Sequence, residues 1–483
     1  MIPMKKILII LMCTALISCE EVLLEKPKSI AVETFYNTPD EIEAALGAIY
    51  SAISPDVCMG GRYPAIHNCM VDYAYGRAGH APLSEFQGLD PTNANRVYII
   101  WERFYIGIRN ANLVIKNAPE GENLTEEVIS KAVGEAKFMR ALIYFTMVRN
   151  WGAIPIRTEN NMNELDVARS SIEEVYQFIE QDLLYAEEYL PNEASLPGKP
   201  TKWAAKTVLA DVYFYQAKYS DARNKALEVI NSNNYSLVKV EVADDFMKIF
   251  GPEVVTTPEE IFYLKYSRES NMGYTYVRFV AHPGTGFHAD GGNYIMYSDK
   301  VSNPVISTWD KNDLRYLYGW YDWNIGFGAN TILSKKFIDP NASAGYNGAG
   351  NDYPWYRYTD VLLLYAEADC QVAGSPTADA MEKLNMIHRR AYGKDPLSPS
   401  EIDFQLSDYT KSSFLDLVLK ERGYETQMES KRWLDLKRLG IVQEVIQATH
   451  GKEVAEKMLL WPIPPSELEY NKLITPSDQN PGY

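Results

Sequence analysis

The sequence predicts a mainly α-helical protein: a superhelical scaffold of paired helices that carries one loop-rich region of short strands. Three observations predict it. Apolar residues recur at helical spacing behind capping signals over most of the chain. Small residues and a tyrosine repeat within adjacent helix pairs. Residues 262–358 break the pattern, with many glycines, short β-like pieces such as Ile261-Phe262-Tyr263-Leu264 and no long helical stretch. That stretch holds 22 aromatic residues in 97, against 12% aromatic for the whole chain.

The elements follow in order. Thr38-Pro39-Asp40-Glu41 opens a helix, with Thr38 as cap, Pro39 at the first helical position and Glu41 completing a capping box. Ile42, Ala45, Leu46, Ile49 and Ile53 continue it at helical spacing. A Gly-, Tyr- and His-containing loop region is expected over about 58–92. A second helix carries Val97, Trp101, Phe104, Ile108 and Ile115. A third, about 125–150, stops near Trp151-Gly152. Ser171-x-x-Glu174 starts a fourth, ended by Pro191, and two more run over about 201–218 and 220–232. There, Leu209-Ala210-x-x-Tyr213 followed by Ala222 and Ala226 resembles a tetratricopeptide (TPR) unit, two antiparallel helices locked by small residues and a tyrosine. Ala136, Ala141 and Tyr144 read as a degenerate copy. Leu363, Leu364, Ala366 and Ala368 with Ala378, Leu384 and Ile387 read as a third pair.

The 483 residues are 46% apolar and 23% charged, which excludes a polytopic membrane protein and a disordered chain. A formal charge of −17 argues against a nucleic-acid partner, which needs a basic face. Lys5 and Lys6, the apolar stretch Ile7 to Ile17 and Leu16-Ile17-Ser18-Cys19 read as a bacterial lipoprotein signal over 1–18, with Cys19 lipidated. Residues 19–483 read as one body: TPR-like helices over about 93–260, the aromatic, Gly-rich region over about 261–357, and C-terminal helices with an extended tail over about 358–483. Cys58 and Cys69 are the candidate disulfide pair, and Cys370 reads as a buried thiol.

Several separated motifs carry a family resemblance. They are the signal with Thr34-Phe35-Tyr36, then Gly134-Glu135-Ala136-Lys137-Phe138-Met139-Arg140-Ala141 leading to Trp151-Gly152-Ala153-Ile154-Pro155. Arg357-Tyr358-Thr359-Asp360-Val361-Leu362-Leu363, Glu421-Arg422-Gly423-Tyr424-Glu425, Arg432-Trp433-Leu434-Asp435-Leu436-Lys437-Arg438 and the terminal Gln479-Asn480-Pro481-Gly482-Tyr483 follow. In this order they resemble the SusD/RagB outer-membrane lipoproteins over essentially the full length. The resemblance implies a SusD-like fold, surface exposure on the outer membrane through the lipid anchor, oligosaccharide binding, and delivery to a SusC-like TonB-dependent transporter. No His-Glu-x-x-His, Gly-x-Ser-x-Gly or Gly-x-x-x-x-Gly-Lys motif occurs, so no enzyme activity and no cofactor are expected. The motif residues read as structural: Arg432 and Asp435 are expected to interact across one helix turn, while Trp433 and Leu436 point inward.

A sugar offers an apolar C–H face and a rim of hydroxyls, so its site needs exposed rings beside amides, carboxylates or guanidinium groups. Two segments offer the mixture. His67 to Phe86 contains Asp72, Tyr73, Tyr75, Arg77 and His80. Residues 271–330 contain Tyr274, Tyr276, His288, Asp290, Asn293, Tyr294, Trp320, Tyr321, Asp322, Trp323 and Asn324. The competing reading is that individual rings pack the loops onto the helices. His282, His288 and Asp290 lack metal-ligand spacing, so no metal is assigned. Two alternatives stay open: a peptide-binding RagB-type receptor, whose rings and acids would suit basic peptides, and an all-α glycoside hydrolase with a pair of carboxylates.

Overall fold

The first helix, α1 (Pro39–Ile53), starts on the expected capping box: Thr38 Oγ1 accepts from the Glu41 N–H, and the Glu41 carboxylate accepts from the Thr38 N–H at 2.9 Å. The computed structural model describes residues 35–289, 291–342 and 348–483. The signal segment, Cys19, Thr34 and Asp290 lie outside the described residues. After α1 come α2 (Arg62–Asn68), α3 (Pro91–Asn117) and α4 (Glu126–Trp151), the last two capped by Asp90 and Thr125. Then α5 (Ile172–Tyr189) starts on the Ser171/Glu174 capping box, followed by α6 (Lys202–Tyr215) and α7 (Tyr219–Asn231). The C-terminal part holds α8 (Tyr358–Ala373), α9 (Ala378–Ala391), α10 (Lys411–Glu425), α11 (Arg432–Leu439) and α12 (Val442–His450).

Consecutive helices pack side by side from α3 through α7, α7 lies against α8, and α8 against α9, so the paired helices form one continuous stack. The apolar stripes explain this order. α4 is buried along almost its whole C-terminal two-thirds, from Ala132 to Trp151, because it is covered by α3 on one side and α5 on the other. Trp151 donates its Nε1–H to the Pro462 carbonyl, and Asn480 donates to the carbonyls of Trp151 and Trp461, so the tail is packed extended chain.

Short strands fill the remainder. β1 (Tyr75–Gly76), β5 (Met296–Asp299), β7 (Thr331–Ser334) and β6 (Trp320–Asp322) make an antiparallel four-stranded sheet in the order β1-β5-β7-β6. β2 (Ile154–Pro155) pairs with β3 (Arg169–Ser170), and β4 (Glu260–Leu264) with β8 (Tyr353–Arg357).

The charged residues of the sequence motifs are buried ion pairs. Arg357 is fully buried; it donates to Glu429 at 2.7 and 3.0 Å, to Glu425 at 2.7 Å, and to the Glu425 carbonyl. Arg390 bridges Glu259 and Glu425, Arg315 joins Asp313 (2.7 Å) and Glu421 (2.9 Å), and Lys336 reaches Glu429 at 2.5 Å. Burial alone would raise these carboxyl pKa values. The neighbouring guanidinium groups outweigh it and hold Glu425 and Glu429 far below the ordinary range, and Glu421 at about 2.

Three expectations change. Residues 58–92 are more than a loop region: they contain α2, β1 and a 3₁₀ segment, and Cys58, Met59, Tyr63, Ile66, Cys69 and Met70 sit in the core. Cys58 and Cys69 are free thiols, each enclosed by apolar neighbours that make it a small hydrophobe; burial pushes the Cys69 thiol up to about 12. Arg432 and Asp435 do not pair with each other. Arg432 reaches back to Asp72 (2.6 Å) and Asp435 accepts from Arg422 (2.8 Å), because burial of α11 turns both toward neighbouring segments. Trp433 and Leu436 do point inward.

Replacing Arg357 with Leu leaves Glu425 and Glu429 buried without their main counter-ion and is expected to cost about 3–5 kcal/mol in urea unfolding; a loss under about 1 kcal/mol contradicts the account. The depressed carboxyl pKa values give stability that is present above the unfolded value of about 4.3 and is lost as pH falls toward the folded value of about 2 for Glu421. Unfolding free energies should therefore hold between about pH 5 and 7 and drop steeply below about pH 4. A flat profile down to pH 3 contradicts it.

Candidate functional site: a ring-lined sheet face

Side chains alternate across a strand, and directly paired residues share a face. The register pairs Tyr75 with Tyr297, Tyr321 with Leu333, and Asp322 with Ile332. Met296, Ser298, Ile332, Ser334 and Trp320 therefore share one face and are buried, with exposed Asp322 at its edge. Tyr75, Tyr297, Tyr321 and Trp323 fall on the other, and all four are half-buried. Leu333 and Thr331 share that second face and are buried, so the four-stranded sheet turns one side to the core and carries half-buried rings around a closed centre on the other.

The rings touch. Tyr75 stacks on Tyr297 with centroids 5.4 Å apart, and Phe327, 57% exposed, lies 4.8 Å from Tyr297. Tyr321 lies 5.2 Å from Phe287 and 6.0 Å from Trp323, and His282 lies 4.8 Å from Trp323 and 4.5 Å from Tyr294. The Arg77 guanidinium sits 3.9 Å over the Tyr294 ring. Polar groups border the rings: exposed Asn293, the Asp322–Lys300 pair at 2.6 Å, and Asn324, whose Oδ1 accepts from the N–H groups of Gly326 and Gly328 and shapes the turn bearing Phe327. His282 Nδ1 accepts from the Gly284 N–H; burial, then the Arg77 charge, pushes its pKa down, so the ring is neutral and Nε2 carries its hydrogen. Rings and hydrogen-bonding groups in this arrangement suit a ligand with both apolar faces and hydroxyls.

The sequence candidates divide. Tyr75, Arg77, Asn293, Tyr294, Tyr321, Trp323 and Asn324 come together on or beside this face, while Asp322 points to the opposite side of its strand, paired with Lys300. Tyr73, Tyr274, Tyr276, His288 and Trp320 are buried and are corrected to packing residues. The cause is local. Tyr276 accepts from Asn68, the Tyr73 hydroxyl accepts from the Met428 N–H, and Trp320 meets Tyr73 edge-on, all beneath the sheet. Asp72 and His80 are buried too. Tyr297, Phe327 and Phe287 were not among the sequence candidates, and His282 was weighed only as a metal ligand. Alternation in Met296-Tyr297-Ser298-Asp299, and a phenylalanine between Gly326 and Gly328, were the available signals for the first two.

A cavity of about 610 Å³ lies elsewhere, between α3 and the C-terminal segment, lined by Tyr98, Trp101, Glu102, Tyr105, Arg109 and Glu467 among others. Two of its polar groups are engaged internally: Trp101 Nε1 faces Glu467 at 3.4 Å, and the Tyr105 hydroxyl donates to the Pro155 carbonyl.

Comparison with known proteins places this architecture. The SusD family model matches residues 272–483, and a model described as starch-binding associating with outer membrane matches residues 66–214. SusD-like protein P2 of Formosa agariphila is 28% identical over 99% of this chain and 99% of its own. A SusD homolog of Bacteroides thetaiotaomicron superposes with a TM-score of 0.80 at 21% identity, covering 94% of this chain and 98% of its own. Surface glycan-binding protein A of Bacteroides fluxus superposes at 0.73 with 23% identity, covering 92% and 100%. Full-length likeness to SusD-like chains, the helical stack and the motif residues locked into its buried ion pairs agree: the chain belongs to the SusD/RagB family.

Proposed function

We propose that this protein binds oligosaccharides on its ring-lined sheet face, at the outer membrane, and passes them to a SusC-like TonB-dependent transporter. The observation that carries the reading is the outward row Tyr75, Tyr297, Tyr321 and Trp323, extended by Phe327 and bordered by Arg77, Asn293 and Asn324. Rings on a rigid sheet present flat apolar faces to pyranose C–H groups, and the amides and guanidinium at the border meet hydroxyls. The relatives support the ligand class, since one of them is a surface glycan-binding protein. Among the described residues of this face, no carboxyl is suited to protonate a leaving group. Asp299 is held below the ordinary range because the N–H groups of Ser302 and Val301 outweigh its burial, and Asp322 is paired with Lys300. We read the face as a binding surface without catalysis. Cys19, with its signal segment, supplies the membrane anchor in this reading.

Trp323→Ala should weaken glycan binding by about 5- to 10-fold, the loss of one ring contact of about 1–1.5 kcal/mol, with the unfolding midpoint nearly unchanged. Calorimetric titration with oligosaccharides checks it, and unchanged affinity in both Trp323→Ala and Tyr297→Ala counts against this face. Cys19→Ala should move the protein from the membrane fraction to the soluble one; retention in the membrane refutes lipid anchoring.

A further inference from the structure

Arg77 stands apart among the charges of the sheet face. Its Nη1 donates to the carbonyls of Asn293 (3.2 Å) and Tyr294 (3.4 Å), and its plane lies on the Tyr294 ring. Among the described residues, no carboxylate lies within ion-pair distance of it. The acids of the sheet strands and of the 3₁₀ segment after β1 are already engaged. Asp299 accepts from the N–H groups of Val301 and Ser302, Asp322 pairs with Lys300, and Glu85 pairs with Lys452. In a chain of 64 acids and 47 basic residues, an arginine left without an acid beside a row of rings is an uncompensated local charge.

The backbone holds it there. The Arg77 N–H donates to the Ile295 carbonyl at 2.7 Å. Ala78, next in the chain, has φ 51°, and Tyr294, under the guanidinium, has φ 35°. Both lie in the left-handed region that residues other than glycine rarely adopt, and such conformations persist where the surrounding structure over-determines them. Stacking on Tyr294 fixes the plane of the guanidinium, while only Nη1 is used by the two carbonyls. Nε and Nη2 remain as donors, and two such N–H groups form the fork that matches a carboxylate or a sulfate ester. His282, neutral with hydrogen on Nε2, lies against both Tyr294 and Trp323 and adds a donor without adding a competing charge.

We infer that the sheet face selects anionic glycans: Arg77 binds a carboxylate or sulfate group on a sugar whose ring is stacked on the adjoining aromatic row. The inference rests on the glycan-binding reading and names the ligand class of the same face. A protein of strong net negative charge repels such ligands at long range, so their capture needs a local cation of this kind.

The test is an array of oligosaccharides, in neutral, uronate-bearing and sulfated sets, probed with the full-length lipid-free protein and followed by titration. The wild type should bind acidic members in preference to neutral ones, with affinity falling as salt rises from about 20 to about 300 mM. Arg77→Gln should lose about tenfold on the acidic members and little on neutral ones, and Arg77→Lys should keep part of the affinity. Trp323→Ala should weaken both classes. Comparison of the uronate and sulfate sets identifies which anion is read. Neutral members bound as tightly as acidic ones, or acidic binding untouched by Arg77→Gln, overturns the inference and leaves the glycan-binding reading standing. A loss in Arg77→Gln that is equal for neutral and acidic sugars also overturns it, since that marks a structural role for the Arg77–Tyr294 stack. No binding to any glycan overturns the functional reading itself, and the inference with it.

Discussion

Arg357 sits where the helical stack meets the strand-rich region, and the arrangement of both depends on its ion pairs. It is the last residue of β8 and the cap of α8, and it is buried. A buried guanidinium without partners would be strongly unfavourable, so Glu425 at the end of α10 and Glu429 in the following turn must come to it. Arg390 of α9 joins the same Glu425 and carries Glu259, just before β4, into the group. Lys336, two residues after β7, donates to Glu429 and to the carbonyls of Glu425 and Gln427, which fixes the outer sheet to the same centre. The segment 427–431 then runs under the sheet, where Met428 bonds the Tyr73 hydroxyl and Ser430 bonds Asn68. The position of the ring-lined face is thus set from below by a charged core.

This dependence explains which parts of the molecule were legible in the sequence. Capping boxes at Thr38 and Ser171 and the apolar stripes of α3 to α9 are local features, and the structure realises them within a few residues. The ion pairs are not local. Asp72 to Arg432 spans the chain, and one-turn spacing on α11 suggested a pairing that distant partners displaced. Tyrosine composition was misleading for a related reason. Rings in 262–358 are concentrated as expected, yet more than half are buried, including Tyr263, Tyr274, Tyr276, Tyr353 and Tyr356. A segment with little regular structure needs large side chains to fill the space between it and the helices, and tyrosine does so while several of its hydroxyls bond buried partners such as Asp211 and Asn68.

What separated structural rings from exposed ones was strand parity. In Trp320-Tyr321-Asp322-Trp323, the first ring faces the core and the second and fourth residues face outward, because side chains alternate and the pairing to β7 fixes the phase. The sequence shows the alternation but not its phase, since either face of a four-residue stretch rich in rings could be the buried one. The pairing that fixes the phase runs back through β7 and β5 to β1, more than 200 residues upstream of β6 in the chain. The outcome is a small sheet with one side packed on the core and half-buried rings on the other, around buried Leu333 and Thr331 and bordered by amides and a stacked arginine.

The central claim is that the ligand surface is the outward side of this sheet. Its most direct test is the crystal structure of the protein with a bound oligosaccharide, read for position rather than affinity. The account predicts sugar rings within van der Waals distance, about 4 Å, of Tyr297, Phe327 or Trp323. A sugar seated instead in the cavity between α3 and the C-terminal segment, against Tyr98 and Tyr105, with the sheet face bare, would contradict it.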